Sequence, residues 1–412
     1  MNFAQNLEVF GACAALVQAD GTCCTYAELA QQADAVFSLP DAPQARRSLV
    51  AVECSNNKAS ILAYLGAVRN GFPVLLVDAQ LQASWRDRLY DRFAVSAIWG
   101  GEGAWQRLPH DPPAVHRDLA LLLSTSGSTG SPKLVKLTLG NLQSNAESIA
   151  AFLGIDARER PITTLPMHYS YGLSVLNSHL AAGASILLNA EPVTSKGFWD
   201  AFRAQGATSL AGVPATYGML KQLRFERMSL PSLRTMTQAG GQLEPELARH
   251  FADLAASRGQ RFFVMYGQTE ATARMSFVPP ERLSAKPGSI GIAIPGGAFD
   301  LVDEGMRPIA GANTVGQLRY TGANVMMGYA EQASDLAAPD VQGGSLLTGD
   351  LALRDEEGYY FLRGRLKRFI KVFGNRIGLD EVEWQLRDMG FDVAVTGRDD
   401  LLLIAWRGAP SQ

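Results

Sequence analysis

The run Ser124-Thr-Ser-Gly-Ser-Thr-Gly-Ser-Pro-Lys133 gathers hydroxyls, glycines and a lysine into one short loop. Such a loop can cradle phosphate. Thr125, Ser126, Ser128 and Thr129 supply hydroxyl donors, backbone N–H groups add more, and Lys133 brings a compact positive charge. Gly127 and Gly130 let the backbone approach an anion closely. The pattern departs from the G-x-x-x-x-G-K-[ST] phosphate loop, because Pro132 precedes the lysine and Leu134 follows it. A flexible Gly/Ser linker is the competing reading. The flanks argue against it: Leu119-Ala-Leu-Leu-Leu123 reads as a buried strand, and Leu-Val-Lys-Leu-Thr follows the lysine.

Further chemistry sits at the ends of other apolar runs. Tyr266-Gly267-Gln268-Thr269-Glu270 follows Arg261-Phe-Phe-Val-Met265, and its carboxylate suits a hard cation bound with phosphate. A strand-end turn carrying an ordinary surface Glu is the alternative. Ala239-Gly240-Gly241-Gln242 offers a backbone on which a flat ligand can lie, or a plain turn. Thr348-Gly-Asp350 and Gly364-Arg365-Leu-Lys367 add a carboxylate and two cations, which standing alone would read as solvated charges.

In this order and at this approximate spacing the motifs resemble the adenylate-forming superfamily: acyl- and aryl-CoA ligases, adenylation domains of nonribosomal peptide synthetases, and firefly luciferase. The resemblance runs from about Leu16 to Glu383. It implies an α/β fold: a large N-terminal domain of mixed, mostly parallel sheets with helices and a small β-subdomain, then a shortened α+β lid. The division falls at residues 1–366 and 367–412, with Lys367 as hinge. The implied reaction joins a carboxylate to the α-phosphorus of ATP, giving an acyl-adenylate and pyrophosphate. Bringing an anion onto a polyanion demands charge neutralisation and positioning.

By the same resemblance Thr125–Gly130 and Lys133 hold phosphates, while Gly240, Gly241, Gln242 and Tyr266 hold adenine. Gly267 and Gln268 complete that motif, Thr269 meets the α-phosphate and Glu270 helps hold Mg²⁺. Asp350 takes the ribose hydroxyls, with Arg365 near ribose and phosphate. Lys133, Thr269, Glu270 and Arg365 are the implied catalytic set. Lys371 and Gly374 resemble a loop lining the thiol tunnel, where an exposed basic turn is the alternative; CoA and a carrier-protein phosphopantetheine both remain open as acceptors. His168, Tyr169, Gly172, Val213 and Pro214 occupy the acid-pocket positions. Many relatives carry Phe-His where this chain has His168-Tyr169, so the gating residue stays open, as does a purely structural histidine. No Asp stands in this stretch to pair an α-ammonium, which favours an acid without one: a fatty, hydroxy or aryl acid.

Composition sets the outer bounds. The 412 residues allow two or three domains and a large core. A net charge of −3 gives no general attraction to nucleic acid or anionic membrane. The start Met-Asn-Phe-Ala-Gln-Asn-Leu-Glu lacks signal-peptide character, and no apolar run suffices for a span. Cys13, Cys23, Cys24 and Cys54 show no C-x-x-C or metal spacing and are expected as reduced thiols. A cytoplasmic protein is expected.

The elements that must position this chemistry alternate. Thr25 caps a helical run to Val36, Ser48–Glu53 reads as a strand, Ala59–Val68 as a helix and Phe72–Asp78 as a strand. That rhythm argues for a largely parallel sheet. Strands are expected near Ser185 and Ser209, and a β-subdomain over residues 288–330. A helix is expected from Leu139 to Leu153, with the phosphate loop leading towards its positive end. After Lys367 a helix near Leu379 and one hairpin (Val393 onward, Leu401–Trp406) are expected, too small a piece to fold without leaning on the large domain or a partner. The superfamily's late lysine, which bridges carboxylate and phosphate, has no counterpart after Lys371. Losing one such group costs about 10²–10³ in rate. Three expectations follow: slow adenylation without it, a partner polypeptide that supplies it, or a nucleotide- or acyl-binding regulatory protein.

Overall fold

A computed structural model describes residues 2–37, 47–100, 103–124, 133–366, 369–372, 375–389, 391–398 and 401–407. Among these, the strands form a nine-stranded, a seven-stranded and a four-stranded sheet, followed by two two-stranded hairpins. The helices Tyr26–Val36, Lys58–Arg69 and Ser170–Ala181 lie between the two large sheets. Leu29, Ala33, Leu65 and Leu176 pack there with Leu16 and Ile186 from one sheet and Val52 and Leu121 from the other. Burying each such Leu or Val contributes about 1.5–3 kcal/mol.

Local chemistry sets the helix ends. Thr25 and Glu28 form a reciprocal capping box, and Asn57 caps the next helix through Ser60 N–H. Leu139–Leu153 is helical as expected, started by Thr138 with Asn141 and stopped by Gly154 in the left-handed region. Its relation to the phosphate loop differs from expectation. A strand, Leu134–Thr138, intervenes and pairs antiparallel with Leu119–Ser124, Thr138 opposite Leu119 and Leu134 opposite Ser124. The loop, residues 125–132, therefore joins two antiparallel strands, and the helix begins at the far end of the second. The strand thus separates the loop from the helix start in sequence, and the loop itself lies outside the described residues.

The β-subdomain also differs in extent. It comprises Gly297–Val302, Gly316–Gly322, Ser345–Arg354 and Tyr360–Arg365, while Gly328–Ala330 joins the seven-stranded sheet beside Leu134–Thr138. After it come the hairpin Phe369–Val372/Asn375–Gly378, the helix Leu379–Asp388 and the hairpin Val393–Arg398/Leu401–Trp406. The helix packs against Tyr360–Arg365. All four cysteines are free. Among the described residues no helix is long and apolar enough to cross a membrane.

One arrangement positions the chemistry. Ser209–Gly212, Thr235–Gln238 and Arg261–Tyr266 are adjacent parallel strands, with Gly212 beside Gln238 and Gln238 beside Val264. Their carboxyl ends deliver Val213-Pro214, Ala239-Gly240-Gly241 and Gly267-Gln268 to one edge, where open α/β sheets bind ligands.

Candidate active site

A cleft of about 520 Å³ opens at these strand ends, lined by Gly240, Gly241, Gln242, Tyr266–Glu270, Asp350 and Arg365 among others. Asp350 and Arg365 face each other across antiparallel strands. Asp350 is 3% exposed, and its carboxylate is held from three directions. Tyr266 OH donates to Oδ2 at 2.5 Å and the Gln268 amide donates to the same oxygen at 2.9 Å. Arg365 Nε lies 3.1 Å from Oδ1. Gln268 also donates to the Thr348 carbonyl at 3.0 Å. Burial, then the charge of Asp350, pushes the Tyr266 phenol well above its usual range, so it stays a donor.

The turn after Tyr266 is tight. A Cβ on Gly267 would fall 1.7 Å from the Ala273 carbonyl oxygen. Ala273 N–H returns to Gln268 O, and Met275 N–H to Tyr266 O. Thr272 (φ 63°) and Ala273 (φ 124°) occupy the left-handed half of backbone space without being glycine. Such residues cost about 1–3 kcal/mol each and persist where the surroundings fix them. Here Thr272 Oγ1 donates to Asn324 O at 2.6 Å.

Beside Glu270, the Ser170 and Thr269 hydroxyls lie 3.1 Å apart. Tyr329 OH donates to Glu270 Oε1 at 2.7 Å. Lys133 Nζ lies 2.7 Å from Glu331 Oε1 and 5.9 Å from the Tyr329 ring centroid. The pairing of Gly328–Ala330 with Leu134–Thr138 creates this cluster, since it sets Lys133, Tyr329 and Glu331 at one strand end beside Glu270. Among the described residues no group of three or more potential ligands could cage a metal. A single carboxylate, Glu270, fits a Mg²⁺ ion shared with phosphate oxygens, because that ion takes one or two protein carboxylates and keeps its other ligands from water and phosphate. The loop residues Thr125, Ser126, Gly127, Ser128, Thr129 and Gly130 lie outside the described residues.

Of the residues expected at the acid pocket, Tyr169 lines the cleft. Gly240 sits at φ 80°, and a Cβ there would come within 2.4 Å of the Tyr169 hydroxyl and 3.2 Å of Val213. Val213 and Pro214 thus back the Gly240-Gly241 turn. His168 faces Asp78 instead, Nε2 to Oδ2 at 3.9 Å, and its buried Nδ1 has no hydrogen-bond partner. Burial lowers the His168 pKa against the pull of Asp78. Gly172 lines a separate cavity with Thr163, Met167 and Val175.

The cleft's outer rim comes from the helix Leu379–Asp388, through Glu383 and Arg387. Glu383 is buried and accepts Val395 N–H at 2.6 Å, tying helix to hairpin. Lys367 and Gly374 lie outside the described residues, and Lys371 pairs with Arg376 in its hairpin. Three residues that the motifs do not mark belong to the site: Ser170, Tyr329 and Arg274. Arg274 carried one signal, a lone arginine in the apolar and hydroxyl run Ala271–Val278.

A family model described as AMP-binding enzyme matches residues 86–330. Among curated proteins, the chain is 32% identical over 305 residues to an indoleacetate–CoA ligase of Aromatoleum aromaticum, covering 73% of this chain and 58% of that one. It is 31% identical to an oxalate–CoA ligase of Arabidopsis thaliana, over 65% of this chain and 52% of that one. The chain thus spans little more than half the length of these relatives. Among solved structures, o-succinylbenzoate CoA synthetase from Bacillus subtilis, in complex with its acyl-adenylate intermediate, superposes with a TM-score of 0.81 at 22% identity, covering 100% of this chain and 89% of that one. ATP-bound MatB from Rhodopseudomonas palustris gives 0.77 at 22% identity, covering 96% and 86%. At such identity the likeness is one of fold.

Proposed function

The chain belongs to the AMP-binding enzyme family, and from that premise we propose that it activates a small carboxylic acid with ATP, forming an acyl-adenylate and releasing pyrophosphate. One observation carries the reading: the clamped Asp350, the Thr269–Glu270 pair and the Tyr169–Gly240 wall share a single cleft. Asp350 accepts from the ribose hydroxyls, held ready by Tyr266 and Gln268. The Gly240-Gly241 backbone and the Tyr266 ring flank the adenine. Thr269 donates to the α-phosphate, with Ser170 at its side. Mg²⁺ held by Glu270 would screen the phosphate charge.

The acid's carboxylate oxygen attacks the α-phosphorus, and the bond to the bridging oxygen of pyrophosphate breaks. Lys133 and Arg365 are the cations that offset the charge brought together. On this reading residues 367–412 form the lid, hinged at Lys367, and Lys371 and Gly374 border the path of an acceptor thiol, CoA or a carrier-protein phosphopantetheine. A lysine presented by a partner polypeptide would add to the positive charge of the cleft.

The test is ATP–pyrophosphate exchange by the purified chain against pooled carboxylic acids, with a parallel ATP-binding titration. Acid-dependent exchange is expected. ATP binding with no exchange from any pool, with candidate partner domains added, would contradict the reading.

A further inference from the structure

Arg274 is the largest fully buried side chain among the described residues, 1% exposed. Its Nε and Nη1 have no hydrogen-bond partner. Its main-chain carbonyl accepts from the Asn145 and Asn324 amides, which fixes the backbone and leaves the guanidinium unengaged by them. The guanidinium lies 4.9 Å from the Tyr171 ring centroid, a contact that offsets only part of the cost of burying a charge. Burial lowers its pKa to about 10, still high enough to keep it protonated at neutral pH.

Two cavities border this arginine. One is the cleft already described; the other is a small space of about 20 Å³ lined also by Glu159, His179, Thr235 and Thr237. That space has room for about one water, which can satisfy a donor but not neutralise a cation. Glu159 accepts from the Thr208 hydroxyl and pairs with Arg234, so its charge is committed elsewhere. The cleft that Thr269 and Arg274 both line also includes Ala239, Met265, Tyr169 and Tyr171, which pack together in one hydrophobic cluster. An acid with an apolar middle and an anion at each end matches this layout.

We propose that Arg274 receives a second anionic group of the acid substrate, so that the acid is a dicarboxylate, one carboxylate reacting beside Thr269 and the other paired with the guanidinium. The proposal rests on the adenylation reading for the identity of the reacting end. A guanidinium holds a carboxylate through two parallel hydrogen bonds, which lysine cannot reproduce.

The experiment measures direct binding by calorimetry. The probes are malonate, succinate, glutarate, adipate and terephthalate, each beside its monocarboxylic counterpart. The proteins are the full chain, Arg274→Met and Arg274→Lys, each checked for an unchanged ATP affinity. Expected is tighter binding of at least one dicarboxylate than of its counterpart by wild type, a preference that falls by about tenfold to a hundredfold in Arg274→Met and returns in part in Arg274→Lys. No dicarboxylate preference in wild type, or one that survives in Arg274→Met, overturns the proposal. Pyrophosphate exchange separates the two readings. Exchange with monocarboxylates alone overturns the dicarboxylate and leaves adenylation standing. Arg274-dependent binding without exchange supports the subsite and counts against adenylation.

Discussion

The two sides of the cleft treat their polar groups oppositely. At one end Asp350 is held by Tyr266 and Gln268 on Oδ2 and by Arg365 on Oδ1, and the Tyr266 hydroxyl and Gln268 amide are themselves used. At the opposite corner two nitrogens of Arg274, Nε and Nη1, are buried without partners. Buried polar groups are normally paired, and an unpaired one costs about 1–3 kcal/mol. A closed network is a rigid receptor that binds what fits its outline. An open set of donors and acceptors is a receptor whose last partners come with the ligand. On the proposed reading, the contrast makes nucleotide recognition a property of a prebuilt network, whereas acid selectivity rests on an uncompensated arginine.

The sharpest way to break this comparison is at the junction of the two sides. Glu270→Ala should lower exchange by about 10²–10³, the loss typical of one positioned electrostatic group, with ATP affinity much less affected. Wild-type exchange would remove Glu270 from the reaction.

A second test asks which side carries the pH dependence of stability. His179, in the helix behind Tyr171, is buried with Nδ1 on the Val175 carbonyl at 2.8 Å. Desolvation, reinforced by Arg274, lowers its pKa from 6.5 to about 4. Its folded-state pKa lies below the unfolded value, so the unfolded chain binds the proton first. Stability is then full above about pH 6.5 and falls as pH drops towards 4, by up to about 3 kcal/mol. Denaturant midpoints across that window should show the slope, and His179→Gln should flatten it.

Asp350→Ala should weaken ATP binding by about tenfold to a hundredfold and lower the melting temperature, because it strands the Tyr266 hydroxyl and the Gln268 amide. Unchanged ATP affinity would remove the ribose contact. The smallest effect is expected from Tyr329→Phe, which frees Glu270 without removing it. A rise of about threefold to tenfold in the Mg²⁺ needed for half-maximal exchange would mark Tyr329 as a positioning residue. An unshifted requirement would leave it structural.

Legibility in the sequence followed the range of the interactions. The cap at Thr25 and the helix Leu139–Leu153 are local and could be read directly. The strand Leu134–Thr138 was hidden by Lys136, a buried lysine whose ammonium is taken up by the carbonyls of Asp335 and Ala338. The strand Gly328–Ala330 was drawn into the wrong sheet because its partner lies far back along the chain. The motifs Gly240-Gly241-Gln242 and Tyr266–Glu270 stood out because each is a compact cluster at a strand end. Tyr329 was not, since its bond to Glu270 spans 59 residues. Arg274 was not, since what marks it is an absence of partners that only packing reveals.

The most direct test of the central claim is mass-spectrometric analysis of the nucleotide products after incubating the chain with ATP, Mg²⁺ and the binding-selected acids. The account predicts an acyl-adenylate of matching mass appearing together with pyrophosphate. ADP and phosphate, or an acyl-phosphate in place of the adenylate, would contradict it.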